Sequence, residues 1–163
     1  MTVQRAQAPV AGTRPWLDIL GTAARLGVGG VLVAAGALKV ANLPLSAFAV
    51  RAYQLLPYEL AGYVGYALPV VELLVGALLL AGLFTRWAAL AASVLMAGFV
   101  VGIGWAWATG LAIDCGCFGG GGPTEAGRTA YPLELTRDAL LLGLSAWLVV
   151  RPRTAYALDN ALS

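Results

Sequence analysis

The sequence predicts an all-α integral membrane protein: a four-helix bundle with a short amphipathic helix between its first two spans. The chain has 163 residues, of which 60% are hydrophobic and 11% are charged, whereas soluble domains carry about 25% charged residues. It also contains four apolar runs of about 20 residues, the length that an α-helix needs to cross a hydrocarbon core. A soluble bundle would need polar outer faces, which these runs lack. The net charge of +2 and the absence of a basic aromatic patch argue against nucleic acid as a partner.

The four runs define the predicted membrane domain, residues 16–150. This domain is expected to lie in the lipid bilayer, which is its first predicted partner. The spans are predicted at 16–40, 60–84, 87–113 and 132–150, between an N-terminal tail, 1–15, and a C-terminal tail, 151–163. None of them alternates like a strand, and only helices and closed barrels cross lipid. The first run is interpreted as a retained helix rather than a signal peptide, because it is too long and ends at Lys39. Cleavage after Ala35 or Ala37 is the alternative.

The distribution of Lys and Arg between the two sides predicts the orientation. One side has five of these residues and the other has three. The first set is Arg5, Arg14, Arg86, Arg151 and Arg153, and the second set is Lys39, Arg51 and Arg128. Both termini are therefore expected in the cytoplasm. The loop between the third and fourth spans is then extracytoplasmic, where disulfides persist.

A short helix is predicted between the first two spans, in "LPLSAFAVRAYQLLP". Its apolar residues recur at helical spacing. They are Leu45, Phe48, Ala49, Ala52, Leu55 and Leu56. We expect Ser46 to cap this helix and Pro57 to end it. An amphipathic helix on the outer interface, on the same side as the third loop, fits this pattern, and a simple connector is the alternative.

Ionisable residues inside the predicted spans are candidates for internal partners, because a charge in lipid is costly and usually faces the bundle interior. They are Arg25, Lys39, Glu72, Glu134, Arg137 and Asp138. Their depths predict that Lys39 pairs with Glu134 or Asp138 and that Arg25 reaches towards Glu72. In the alternative interpretation, Arg25 and Lys39 only extend to the two interfaces.

The stretch "DCGCFGGGGP", residues 114–123, contains the only two cysteines, Cys115 and Cys117. A disulfide between them needs a bent backbone, which Gly116 permits. So small a ring adds little stability through chain entropy, whereas a strained, exposed bridge exchanges readily. The glycines that follow predict a flexible loop. A redox pair is thus one interpretation, Cu(I) bound by two thiolates is a second, and inert cysteines are a third.

The neighbours of the two cysteines suggest different roles for them. Asp114 is anionic and adjacent to Cys115, so the thiolate of Cys115 should be the less favoured one. Cys117 is therefore expected to be the attacking thiol in the reduced protein. A nearby cation, Lys39 or Arg128, would stabilise its thiolate.

Several motifs resemble a known family. "AAGALKV" at the end of the first span and "PVVELLVGALLLAGL" in the second resemble the DoxX-like superfamily, the latter through Pro69, Glu72, Gly76 and Gly82. "CGCFGG" after the third span and "TRDALLL" in the fourth resemble its MauE branch, named for methylamine utilisation. The resemblance implies a four-helix membrane protein that serves redox maturation of extracytoplasmic proteins with a thioredoxin-like partner. Other branches of the superfamily occur in quinone-linked oxidoreductases.

The expected function is thiol–disulfide exchange through Cys115 and Cys117 with an extracytoplasmic thioredoxin-like protein. A membrane quinone is the expected second electron carrier, by analogy with four-helix membrane enzymes that generate disulfides. The alternative is a non-catalytic subunit, in a homo- or hetero-oligomer, that anchors or assembles a larger redox complex. The glycine-rich helix faces suit such helix partners. A transporter is less well supported, because no pair of broken helices marks a midplane site.

Overall fold

The protein is described by a computed structural model, which describes residues 15–125, 129–152, 154 and 157–159. Five helices account for most of the described chain. They are α1 (Pro15–Val40), α2 (Leu43–Ala52), α3 (Tyr58–Ala81), α4 (Thr85–Ala108) and α5 (Tyr131–Val150). Two strands of two residues each, β1 (Ile113–Asp114) and β2 (Gly122–Pro123), lie between α4 and α5.

The predicted helical class is confirmed, with three helices in the described part of the chain that are long and apolar enough to cross a membrane. These are α1 from Trp16, α3 and α4. The helix α5 has 20 residues, but its first half carries Glu134, Arg137 and Asp138, so its membrane crossing stays a prediction. The helix α4 ends at Ala108 rather than at residue 113, since Gly110 has a positive φ of 69° that turns the chain away.

Small residues let α1 and α3 pack closely side by side. A Cβ added at Gly36 would lie 2.8 Å from the carbonyl oxygen of Pro69, and one added at Gly29 would lie 3.1 Å from that of Gly76. These contacts show that α1 and α3 run antiparallel. The helix α5 packs on α4 and α1, and α3 also contacts α4. Between the helices lies an apolar core that includes Val28, Leu32, Leu79 and Leu148.

The helix α2 begins one turn earlier than predicted. Asn42 caps it, because its side-chain oxygen accepts a hydrogen bond from the Leu45 amide at 3.2 Å. The prediction that Ser46 is the cap is wrong. Ser46 is buried, and its hydroxyl donates a 2.8 Å hydrogen bond to the Gly65 carbonyl of α3. The helix also ends before Pro57, at Ala52.

The buried face of α2 consists of small residues, Ser46, Ala47 and Ala49, whereas Phe48 is 51% exposed. The cause is the close approach of α3, where Gly65 lies directly against Ala47. A helix packed this closely needs small side chains at the contact. The apolar spacing of the sequence therefore predicted the helix but not the face that it buries.

Candidate functional site

The two cysteines lie in the turn of a short hairpin. The strands β1 and β2 are antiparallel and pair Ile113 with Pro123 and Asp114 with Gly122. The amide of Thr124 extends the hairpin by donating a 2.9 Å hydrogen bond to the Ala112 carbonyl. The hairpin joins the end of α4 to the start of α5, so it holds both cysteines at one end of the molecule.

Glycines dock this turn against α2. Gly116 and Gly121 have φ values of 67° and 115°, a region that other residues rarely occupy. A Cβ at Gly121 would lie 2.6 Å from the Cβ of Ala49, and one at Gly122 would lie 2.6 Å from the Phe48 ring. The glycines thus provide unusual backbone angles and close packing, rather than the freedom to swing that the sequence suggested.

Two tyrosines fix the backbone around the cysteines. The Tyr53 hydroxyl donates a 3.0 Å hydrogen bond to the Cys115 carbonyl. The Tyr131 hydroxyl donates a 2.5 Å hydrogen bond to the Leu111 carbonyl and accepts one of 3.1 Å from the Ile113 amide. Burial raises the pKa of Tyr53, so this residue remains a protonated donor.

The two sulfurs have different surroundings. Both cysteines are free thiols, Cys115 half-buried and Cys117 8% exposed. The Cys117 amide donates a 3.3 Å hydrogen bond to the Cys115 sulfur, and the Cys115 thiol in turn hydrogen-bonds the Cys117 sulfur. This thiol–thiol hydrogen bond, together with burial, raises the pKa of Cys115.

The same hydrogen bond lowers the pKa of Cys117, assisted by the positive charges of Arg137 and Lys39 and opposed by burial and Asp138. The preference for a Cys117 thiolate has the direction expected from the sequence. Its cause is different, because the sequence argument relied on Asp114. Lys39 is one of the two cations expected at this site, and Arg128 lies outside the described residues.

A buried ion pair underlies the turn. The Lys39 ammonium contacts Glu72 Oε1 at 2.6 Å, and these side chains are 5% and 0% exposed. The prediction that Lys39 pairs with Glu134 or Asp138 is wrong. Side chains on a helix point towards its N-terminus, so Lys39 extends back into the bundle, to the level of Glu72.

The remaining predicted charges separate into two places. The Arg137 guanidinium pairs with Asp138 Oδ1 at 2.9 Å and lies over the Phe118 ring, 4.8 Å from its centroid. Arg25 lies far from Glu72, against the Gly82 position at the end of α3, so the prediction that it reaches Glu72 is wrong. The reason is the register of the two antiparallel helices. Gly29 lies opposite Gly76, so Arg25 is level with the end of α3 and not with Glu72.

Glu134 lies beside Cys115 and Asp114. Its carboxylate, the Asp114 carboxylate and the Cys115 sulfur are within 4.8 Å of one another. This group has one sulfur and two carboxylates, and Asp114 is exposed. It therefore differs from the pair of thiolates that a Cu(I) site would use.

A cavity of about 330 Å³ opens beside the cysteines, within the size range of small-molecule sites. Its walls come mainly from apolar residues of α2, α3 and α4, such as Val64, Leu68 and Leu95. The polar groups are Lys39, Ser46, Tyr53 and the two cysteines. The Lys39 ammonium also lies 5.1 Å from the centroid of the Phe99 ring, in the cavity wall.

Most of the chain matches a known protein family. The family described as "Methylamine utilisation protein MauE" matches residues 17–151. The chain belongs to the MauE family. With its three apolar helices, this membership indicates a membrane protein of methylamine utilisation, and it is consistent with the DoxX-like resemblance. No curated protein and no solved structure matches the chain.

Several residues at the site of this MauE-family protein were not predicted from the sequence. They are the aromatic residues Tyr53, Tyr131, Phe99 and Phe118. The available signal was weak, because aromatic side chains are common throughout apolar helices. Only the position of Phe118, directly after Cys117, marked it as a neighbour of the site.

Proposed function

We propose that this MauE-family protein is a membrane thiol–disulfide redox protein that exchanges electrons between a thioredoxin-like extracytoplasmic protein and a membrane quinone. The observation that carries the proposal is the inequivalence of the two sulfurs. Cys115 is the more exposed sulfur, and Cys117 is buried beside two cations, with a lowered pKa. Redox pairs need this asymmetry, because one sulfur meets the partner while the other leaves or resolves.

Cys115 is the sulfur that meets the partner. In the disulfide form, a partner thiolate attacks Cys115, the Cys115–Cys117 bond breaks, and Cys117 leaves as a thiolate. A sulfur with a low pKa is the better leaving group. The second partner thiol then displaces Cys115, so the partner becomes a disulfide and both cysteines become thiols. In the reverse direction Cys115 attacks the partner disulfide and Cys117 resolves the mixed disulfide. This proposal departs from the expectation that Cys117 attacks, because Cys117 is buried and Cys115 is half-buried.

Covalent trapping tests this assignment. Cys117→Ala lacks the resolving sulfur and should accumulate a mixed disulfide through Cys115, visible on a non-reducing gel and lost with reductant. Cys115→Ala should trap much less, and mass spectrometry identifies the trapped protein. If neither variant traps a partner, and the double variant leaves partner oxidation normal in cells, the alternative of an anchoring or assembly subunit replaces this proposal.

The proposed topology has four spans, α1, α3, α4 and α5, with both termini in the cytoplasm and the cysteine turn outside. The charge bias and the contacts of α5 with α4 and α1 support it. The helix α2, which packs against the turn, then lies at the outer interface. A membrane-impermeant maleimide should label the reduced cysteines in intact cells. Labelling that requires lysis, with reduction verified, would contradict this orientation.

The 330 Å³ cavity fits a quinone ring, because its walls are mainly apolar and it adjoins both sulfurs. Val64, Leu68 and Leu95 would contact the ring, and Lys39 would supply a polar contact. A quinone takes up two electrons and two protons, which matches the oxidation of a dithiol. The cavity is therefore the proposed site of the second electron carrier.

A substitution that fills the cavity separates quinone reactivity from thiol chemistry. Gly98 lines the cavity, and nothing lies within 4 Å of a Cβ added there. Gly98→Leu should slow reduction of a water-soluble ubiquinone analogue by the reduced protein, while exchange with dithiothreitol persists. Gly104→Leu, also on α4 and with open space at its Cβ, is the matched control. Equal quinone reduction by both variants would argue against this site.

A further inference from the structure

Two buried carboxylates each have one oxygen without a hydrogen-bond partner among the described residues. They are Glu72 Oε2 and Asp138 Oδ2, and the half-buried Glu134 has a third such oxygen, Oε2. Glu72 is 0% exposed and Asp138 is 2% exposed. The ion pairs with Lys39 and Arg137 use the other oxygen of each carboxylate. A buried carboxylate oxygen without a hydrogen bond is costly, so such atoms indicate an additional ligand.

Both carboxylates line the same small cavity, and Cys117 lines it with them. The cavity has a volume of about 10 Å³, close to the lower limit for one water molecule. Arg137 also lines it, and apolar side chains such as Leu32, Met96 and Leu141 complete its walls. A single water there would have two carboxylate oxygens and one sulfur as polar neighbours, which meets the usual need for two to four partners.

We propose that Asp138, acting through one water molecule held between it and Glu72, accepts and returns the proton of Cys117. The inference rests on the proposed thiol–disulfide function and assigns the proton pathway of that site. Glu72 orients the water, and Asp138 carries the proton, because Asp138 is the carboxylate whose charge acts on Cys117. The other charged and titratable groups that face this sulfur are Lys39 on α1, Tyr53 after α2, Arg137 on α5 and Cys115 in the turn.

The proton balance follows from the exchange reaction with a disulfide substrate. When the reduced protein is oxidised, Cys115 first forms a mixed disulfide and releases one substrate thiol. The Cys117 thiol then passes its proton through the water to Asp138, and its thiolate attacks Cys115. The Cys115–Cys117 bond forms, the mixed disulfide breaks, and the second substrate thiolate leaves and takes up a proton from solvent, while Asp138 keeps the proton of Cys117. The substrate disulfide gains two electrons and two protons, and the reverse reaction returns the proton to Cys117 by the same path.

The sign of one substitution distinguishes this role from simple electrostatics. The Asp138 charge disfavours a thiolate at Cys117, so its removal should raise the thiolate fraction and speed exchange if charge alone matters. Loss of a proton acceptor should instead slow exchange. The deficit should be largest below the ordinary thiol pKa of about 8.5, since hydroxide takes over at higher pH.

The test measures how fast 2-hydroxyethyl disulfide oxidises the reduced, full-length protein in lipid nanodiscs, by acid quenching and mass-tagged alkylation. Asp138→Asn should slow oxidation at least about 10-fold near pH 6.5, as expected for loss of a general base. The deficit should shrink towards about pH 9. Asp138→Glu should retain most of the rate, and Glu59→Gln, exposed at the start of α3, is the control.

An unchanged or faster Asp138→Asn variant overturns the proton pathway and leaves the thiol function standing, provided that the wild type reacts. A deficit that is the same at all pH values indicates a structural role and also overturns it. A wild type whose cysteines do not form a disulfide refutes the proposed function itself. If Asp138→Asn does not fold, the wild-type protein labelled with ¹³C-aspartate provides the test instead. Oxidation of the cysteines should then change an infrared C=O band of protonated aspartic acid. An unchanged band overturns the proton pathway.

Discussion

The helix α1 carries two buried basic residues, Arg25 near its middle and Lys39 in its last turn, and the two have different surroundings. Lys39 is 5% exposed, pairs with Glu72, and adjoins Cys117 and the large cavity. Arg25 is 2% exposed and lies beside Gly82 and within the field of Asp159. The comparison shows that a buried charge in an apolar helix does not by itself mark a reactive site. What distinguishes Lys39 is that its neighbours are two thiols and a cavity.

At the end of the molecule where Arg25 lies, the polar contacts join the ends of helices. The Asp159 carboxylate accepts hydrogen bonds from the amides of Phe84 and Thr85, at 2.8 and 2.9 Å, and so caps α4 from the C-terminal segment. Arg151 contacts Asp18 at 3.3 Å. None of the described residues there is a cysteine. We therefore expect substitutions at this end to change stability alone, and substitutions at the cysteine end to change both stability and reactivity.

The largest expected effect is that of Glu72→Ala. Removing one partner of a buried ion pair leaves Lys39 uncompensated and costs about 3–5 kcal/mol. Glu59→Ala, at an exposed position on the same helix, should change the free energy of unfolding by less than about 0.5 kcal/mol. Thermal or denaturant unfolding in detergent measures both variants. Equal stabilities would show that the Lys39–Glu72 pair does not support the bundle.

The next largest effect is expected for Gly121→Ala in the cysteine turn. Its φ of 115° and the contact with Ala49 exclude a Cβ, and such backbone strain costs about 1–3 kcal/mol. The turn should separate from α2, so Cys117 should be alkylated faster by iodoacetamide. Gly143→Ala, with open space at its Cβ, is the control. If alkylation is unchanged in the folded variant, the turn is not held by this contact.

A smaller effect is expected for Asp159→Asn, about 1 kcal/mol for a lost helix cap. Burial alone would raise the pKa of Asp159, but hydrogen bonds from Thr85 and Phe84 lower this pKa. A lowered pKa contributes stability above the unfolded value and loses it as the pH falls through the folded value. The stability difference from wild type should therefore shrink below about pH 4. Cysteine exchange rates should not change, and a change would contradict the separation of the two ends.

The smallest effect is expected for Arg151→Ala. Its ion pair with Asp18 is partly exposed, with side chains 33% and 28% accessible. Such pairs contribute about 0.2–1 kcal/mol and are screened by salt. Unfolding measured at low and high ionic strength should show the difference only at low salt. A salt-independent loss would point to packing of the arginine stem instead.

The cysteine turn shows why sequence patterns predict some features and not others. Residue type alone predicted that Gly116 permits a bend between the two cysteines, because such a bend depends on local backbone sterics. The same glycine run, however, is compatible with a mobile loop or with a docked one. The docking depends on Ala49 and Phe48 of α2, which are more than 60 positions away in the chain and whose exposure the apolar pattern of α2 did not indicate.

The sequence by itself determined the helical class, the approximate extent of the apolar helices and the identity of the residues with unusual chemistry. These follow from composition, run length and residue type, which act locally. Only the tertiary structure decided that Lys39 pairs with Glu72, that Arg25 lies at the opposite end, and that Asp138 and Cys117 share a cavity. Those outcomes depend on how α1 and α3 align along each other and on the direction of each side chain, because a shift of one helical turn, about 5.4 Å, exchanges the partners of a buried charge.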